Sequence, residues 1–169
     1  MSELLIGCGN RRIKQLSLST PDWTDLTTLD FDPDCKPDVL HDLEVFPYPF
    51  VDDSFDEVHA YEVLEHTGKQ GDWKFFFDQF GELHRILKPG GVLCASVPKF
   101  DSVWAWGDPS HTRVLSHGSL VFLSQDMYTA QIGKTAMTDF RRYWQRDFRI
   151  LFSEYKAETY YFALEAVKC

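Results

Sequence analysis

The sequence has no apolar run approaching the roughly eighteen residues that a membrane span requires. Its first residues are interrupted by Gly7 and Gly9 before an apolar leader could form, so no secretory signal is expected and the cytoplasm is the expected compartment. Cysteine is sparse. Cys8, Cys35, Cys94 and Cys169 form no Cys-x-x-Cys pair, which argues against a zinc knuckle and a disulfide framework. The six histidines show no two at ligand spacing on a predicted helix, so no metal site is expected.

Positive charge is also short. Lys and Arg number 17 against 26 Asp and Glu, and the net charge of -9 works against non-specific binding to nucleic acid. The densest basic run, Arg141-Arg142-Tyr143-Trp144-Gln145-Arg146, reads as a solvated helix face anchored by Trp144 or as a stacking and phosphate surface. Repeats, low-complexity tracts and linkers are absent. With 169 residues, 44% hydrophobic and 25% charged, the chain suits one globular domain over 1–169 with a sizeable core.

What is present begins with Leu4-Leu5-Ile6-Gly7-Cys8-Gly9-Asn10, an apolar run ending in two glycines, followed some twenty residues later by Leu29-Asp30. Apolar strand, glycine turn and then an acid at that distance is how a parallel α/β sheet holds a nucleoside. The glycines let backbone approach the ligand, and the acid accepts the ribose hydroxyls. A dinucleotide fingerprint wants a third glycine where this chain has Arg12, which argues against a bound pyrophosphate and against a dinucleotide oxidoreductase. Cys8, inside the turn, reads as a small apolar filler or as a reactive thiol.

Strands are predicted at 4–7, 25–31, 39–40, 55–61 and 92–97, with a short helix or irregular turn over 10–18. Apolar residues at helical spacing over 72–87 predict a core-facing helix, stopped by Lys88-Pro89-Gly90-Gly91. Two further strands, 148–155 and 159–167, flank a turn too tight for anything but antiparallel neighbours. The fold class is therefore α/β: a mostly parallel sheet with an antiparallel C-terminal hairpin and helices on both faces.

Four segments carry a family resemblance, covering residues 4–98 in order. They are Ile6-Gly7-Cys8-Gly9; Leu29-Asp30-Phe31-Asp32-Pro33; the stretch from His41-Asp42-Leu43 through Phe46-Pro47-Tyr48-Pro49-Phe50 to Asp53-Ser54-Phe55-Asp56; and Glu62-Val63-Leu64-Glu65-His66 with the later Leu87-Lys88-Pro89-Gly90-Gly91. Together they resemble the class I S-adenosylmethionine-dependent methyltransferases, type 11, with their Rossmann-like sheet. The common third glycine of the loop is replaced by Asn10-Arg11-Arg12, and the leading helix of many relatives is missing before the first strand.

The resemblance implies S-adenosyl-L-methionine as cofactor. It implies a loop of Ile6, Gly7, Cys8 and Gly9 beside the methionine part, and Asp30, with Phe31 next to it, at the ribose. Asp42, between His41 and Leu43, is implied at the adenine amino group, and Tyr61 and Glu62 at the end of the fourth strand. Substrate contacts are expected from 98–146, which holds Trp104, Trp106 and the string Asp108-Pro109-Ser110-His111-Thr112-Arg113, similar to one found in some type 11 relatives. His111 reads as a proton acceptor oriented by Asp108 or as a loop brace. Glu65 and His66 read as cofactor or substrate contacts, or as the start of a helix. The expected activity is methyl transfer to a small-molecule or cell-envelope-related acceptor; the alternative is a non-catalytic protein that binds the cofactor or a partner.

Overall fold

A computed structural model describes residues 1–168 and contains seven strands: β1 (Ser2–Ile6), β2 (Asp25–Asp30), β3 (Val39–Leu40), β4 (Phe55–Tyr61), β5 (Leu87–Pro98), β6 (Asp147–Lys156) and β7 (Thr159–Val167). They form one sheet in the order β3-β2-β1-β4-β5-β7-β6, parallel except for β7, which runs antiparallel to both neighbours. The chain lays strands outward from β1 in one direction and then from β4 in the other. That reversal opens a crevice beyond the C-terminal ends of β1 and β4, the place where such sheets take ligands.

Helix α1 (Trp73–Ile86) starts where Asp72 accepts the Phe75 N–H at 3.1 Å, and carries His84 and Arg85 in its last turn. Its apolar face, Phe77, Phe80, Leu83 and Ile86, packs with Leu4, Ile6, Val58 and Leu93 in the main core. The expected stop at Lys88-Pro89-Gly90-Gly91 takes another form. Helix runs directly into β5, and the register jumps from Phe55–Leu87 to Glu57–Val92, so the proline and glycines lie in an irregular bulge of the strand.

The segment after β5 holds short helices α2 (Val103–Gly107), α3 (His117–Leu120) and α4 (Gln125–Gln131). Leu120 and Tyr128 join the main core from the same side as α1. The basic run at 141–146 is not helical: Trp144 is buried, with its indole N–H on the Leu123 carbonyl at 3.0 Å, and Arg141 pairs with Asp139. Among the described residues no helix is long and apolar enough to cross a membrane.

The expected α/β fold class holds, with its mostly parallel sheet, antiparallel C-terminal pair and helices; the cover of one face takes a form other than helix. Among the described residues the second face carries a small cluster, Leu5, Cys8 and Tyr61 with Leu16, Trp23 and Leu26, and it is covered by a non-helical segment over 11–24. The physical reason lies in the strands beneath. Glu3, Glu57 and His59 are buried on that face and need hydrogen-bond partners, which an apolar helix stripe does not supply. The segment supplies them: Lys14 bonds to both Glu3 and Glu57, Thr24 donates to Glu3 from its amide and hydroxyl, and Ser19 donates to Glu57.

Candidate active site

Two glycines shape the turn after β1. Gly7 has φ +60, and a Cβ placed there would lie 2.3 Å from Val63 Cγ2, so the glycine loop packs directly on the turn that follows β4. Gly9 has φ +48, and nothing lies within 4 Å of where its Cβ would be. Its N–H donates to Asp30 Oδ2 at 2.9 Å, while Asp30 Oδ1 accepts the Asp32 N–H at 3.0 Å. Asp30 is thus fixed at the mouth of β2 with one bond on each oxygen and lone pairs to spare for ligand hydroxyls.

Around that acid the rim is built from neighbouring strand ends. Phe31 is 74% exposed, a large apolar ring left uncovered beside Asp30. The His41 N–H donates to the Asp30 carbonyl at 2.9 Å, tying β3 to β2, and its ring contacts the Val45 carbonyl. Asp42 is exposed and accepts the Glu44 N–H on one oxygen. Arg12, in the third-glycine position, donates to the carbonyls of Cys35 and Lys36 and braces the loop after β2.

Other residues expected at the cofactor turn out to have structural work for their side chains. Ile6 and Leu43 are buried in the main core. Cys8 sits in the second-face cluster with its thiol pKa raised by burial, which matches a filler and not a reactive thiolate. Tyr61 turns its hydroxyl onto the Leu16 N–H and carbonyl and onto His59 Nδ1, pinning the 11–24 segment. Strand alternation explains it, because Tyr61 shares its face with Glu57 and His59.

Beyond β4, Glu62 adopts φ +52, a conformation that non-glycine residues seldom take, with its N–H on the Ser96 carbonyl and its carboxylate on the Ser96 hydroxyl at 2.9 Å. A single 3-10 turn follows, Leu64–His66. Glu65 is 2% exposed, and neither carboxylate oxygen has a hydrogen-bond partner. Burial raises its pKa to about 8. His66 Nε2 stands 3.9 Å and His111 Nε2 4.0 Å from the same Glu65 oxygen, and the two rings meet edge to face at 4.6 Å.

Two far-separated segments meet here because their backbones are stitched together. Thr112 N–H and Arg113 N–H both donate to the Glu65 carbonyl, at 2.9 and 3.3 Å, and Arg113 Nε donates to the Leu64 carbonyl. Arg113 is itself buried and also bonds to Thr67 and Gln79. The sequence shows the string containing His111 and Arg113 but carries no sign of which turn they would dock on. Asp108 stands 3.8 Å from His111 Nε2, with its other oxygen on Ser110. An apolar cavity of about 270 Å³, lined by Trp73, Phe76, Leu115, Phe122 and Phe140, lies apart from the glycine rim.

Sheet order, glycine turn and rim acid define a nucleoside-binding α/β protein of the methyltransferase kind. The profile of the methyltransferase domain matches residues 4–95, more than half of the chain. The chain belongs to that family, the class I S-adenosylmethionine-dependent methyltransferases, and S-adenosyl-L-methionine is its cofactor. No curated protein matches the sequence.

Solved structures share the fold. A SAM dependent methyltransferase from Archaeoglobus fulgidus superposes with TM-score 0.62 at 16% identity, covering 97% of this chain and 85% of that one. A putative methyltransferase solved with the Trm112 methyltransferase activator of Haloferax volcanii gives 0.63 at 14%, covering 99% and 83%. The N-methyltransferase NodS from Bradyrhizobium japonicum WM9, in complex with S-adenosyl-L-homocysteine, gives 0.58 at 14%, covering 99% and 78%.

The residues at the rim fit the cofactor. Open space over Gly9, a buried Asp30 with free lone pairs and an uncovered Phe31 ring are what a ribose and a flat base require.

Proposed function

We propose that this chain, as one methyltransferase domain over 1–169, moves a methyl group onto a small-molecule acceptor that enters between the glycine loop and the 98–146 segment. When bound, S-adenosylmethionine supplies an electrophilic methyl on its sulfonium. Gly7 and Gly9 let the backbone approach the methionine part, Asp30 accepts the ribose hydroxyls, Phe31 covers the base and Asp42 accepts its amino group. Glu62, held in its left-handed turn, lines the mouth between cofactor and acceptor.

The observation that carries this reading is the contact of Gly7 with Val63. It makes the cofactor loop and the Glu62-to-His66 turn a single wall, so Glu65, His66 and His111 sit next to the place where the methyl is delivered. Methyl transfer needs the acceptor held in line and its proton removed. Desolvation and the His111 ring keep the His66 pKa below the ordinary histidine range, so the ring is neutral near pH 7 and has a lone pair to offer. The net charge of -9 supports a small acceptor over a nucleic acid.

The test is transfer of radiolabel from methyl-labelled cofactor to a library of hydroxyl and amine acceptors. His111→Ala is expected to lower turnover about 100-fold or more while retaining affinity for S-adenosylhomocysteine. Full turnover in that variant would overturn the assignment. A second reading, a cofactor-binding protein that acts through a partner, is supported by the helix-free second face. A chain that binds S-adenosylhomocysteine, labels no acceptor in the library and forms a stable complex with one partner would favour it.

A further inference from the structure

We propose that Glu65, His66 and His111 form a binding site for one first-row divalent cation of the zinc or cobalt type. The three side chains offer one ligand atom each within 4.8 Å of one another. Two imidazoles and one carboxylate suit such ions, and the set leaves coordination positions open, as catalytic sites do. For the metal itself the inference stands on geometry; for its purpose it rests on the methyl transfer proposed above.

Both oxygens of Glu65 and Nδ1 of His111 are buried without a hydrogen bond. A buried carboxylate with nothing on either oxygen is costly, so a polar occupant is required between these groups. Protonating Glu65 does not remove the demand, because its new O–H also lacks an acceptor.

His66 Nδ1 lies 3.3 Å from the Ser110 carbonyl and 3.2 Å from its hydroxyl, so the Nδ1–H donates to Ser110 and the Nε2 lone pair is turned free. That is the outer-shell arrangement that orients a metal-binding imidazole. Nε2 of His66 and Nε2 of His111 stand 3.9 and 4.0 Å from one Glu65 oxygen, too far for direct hydrogen bonds. Ligand atoms about 2.0–2.2 Å from such an ion stand roughly 3.0–3.5 Å apart, so closure needs about half an ångström from each.

The three ligands are held in place before any ion binds. The Glu65 carbonyl holds Thr112 and Arg113, fixing His111 against the turn, and Arg113 clamps Leu64 from the other side. Asp108 adds a further carboxylate 3.8 Å from His111. The absence of a histidine pair on a helix gave no hint of this, because the ligands come from a turn and a distant loop. With the Nε2 lone pairs of His66 and His111 held by the ion, the rings no longer take the proton directly; the cation instead acidifies an acceptor hydroxyl, whose proton leaves to water as the oxygen–methyl bond forms and the sulfonium–methyl bond breaks.

The test uses the full chain freed of metal with a chelator and titrated with Co²⁺ and Zn²⁺ by calorimetry and visible absorption. One equivalent is expected to bind, with Co²⁺ giving visible ligand-field bands. Glu65→Gln and His66→Ala should each weaken binding at least about tenfold, while His117→Ala, at another exposed histidine, should not. Failure of the wild-type chain to take up either ion overturns the proposal, as does equal affinity in Glu65→Gln and His66→Ala. S-adenosylhomocysteine affinity, measured on the same samples, separates this outcome from failure of the methyltransferase reading. His66 is exposed, so its variant keeps the test valid if Glu65→Gln does not fold.

Discussion

Gly7 and Val63 compete for the same space: a Cβ on Gly7 would fall 2.3 Å from Val63 Cγ2, in a backbone conformation with φ +60. Both problems arise with the smallest substitution. Gly7→Ala is expected to cost about 2–4 kcal/mol, from the left-handed backbone and the clash together. In a urea melt, Gly7→Ala with Val63→Ala should recover the clash share only, leaving the backbone share. Additive losses in the double variant would count against the contact.

Asp30 orders the glycine loop through the Gly9 N–H and, in the proposed function, also accepts the ribose hydroxyls. Asp30→Ala should therefore weaken S-adenosylhomocysteine binding by about 10–100-fold, the loss of hydrogen bonds to a charged acceptor. Calorimetry checks it, and unchanged affinity would remove Asp30 from the site.

The strands, α1 and the Asp30 rim were legible because each is written locally: alternation, helical spacing, and an acid at a fixed distance from a glycine turn. The cover of the second face was not. Nothing near Lys14 announces that it will be spent on Glu3 and Glu57, since those partners come from other strands. The same limit applies to Tyr61, whose place at a strand end suggested the cofactor while its hydroxyl bonds to Leu16. The meeting of Glu65 with His111 likewise depends on backbone bonds between distant segments.

The Lys14 side chain is 2% exposed between two buried carboxylates, lying 3.2 Å from Glu57 and in contact with Glu3. Lys14→Met keeps the apolar stem and removes the charge, leaving the carboxylates uncompensated. A loss of about 3–5 kcal/mol is expected by chemical denaturation. A neutral result would show the ion pairs to be dispensable.

His59 is fully buried against Glu57, Tyr61, Lys14 and Trp23, and burial pushes its pKa down to about 4 from 6.5. The unfolded chain then binds the extra proton between those values. Stability from this group is complete above about pH 6.5 and is lost as pH falls towards 4. His59→Gln should flatten that slope in pH-dependent melts, and an unchanged slope would assign it elsewhere.

In the proposed function the crevice between β1 and β4 holds the cofactor, with its sugar on Asp30. A crystal structure with S-adenosylhomocysteine tests it most directly. Both ribose hydroxyls are expected on the Asp30 carboxylate, with the sulfur turned towards Glu65, His66 and His111. Ligand seated instead in the cavity between Trp73 and Phe122, with Asp30 untouched, would contradict it.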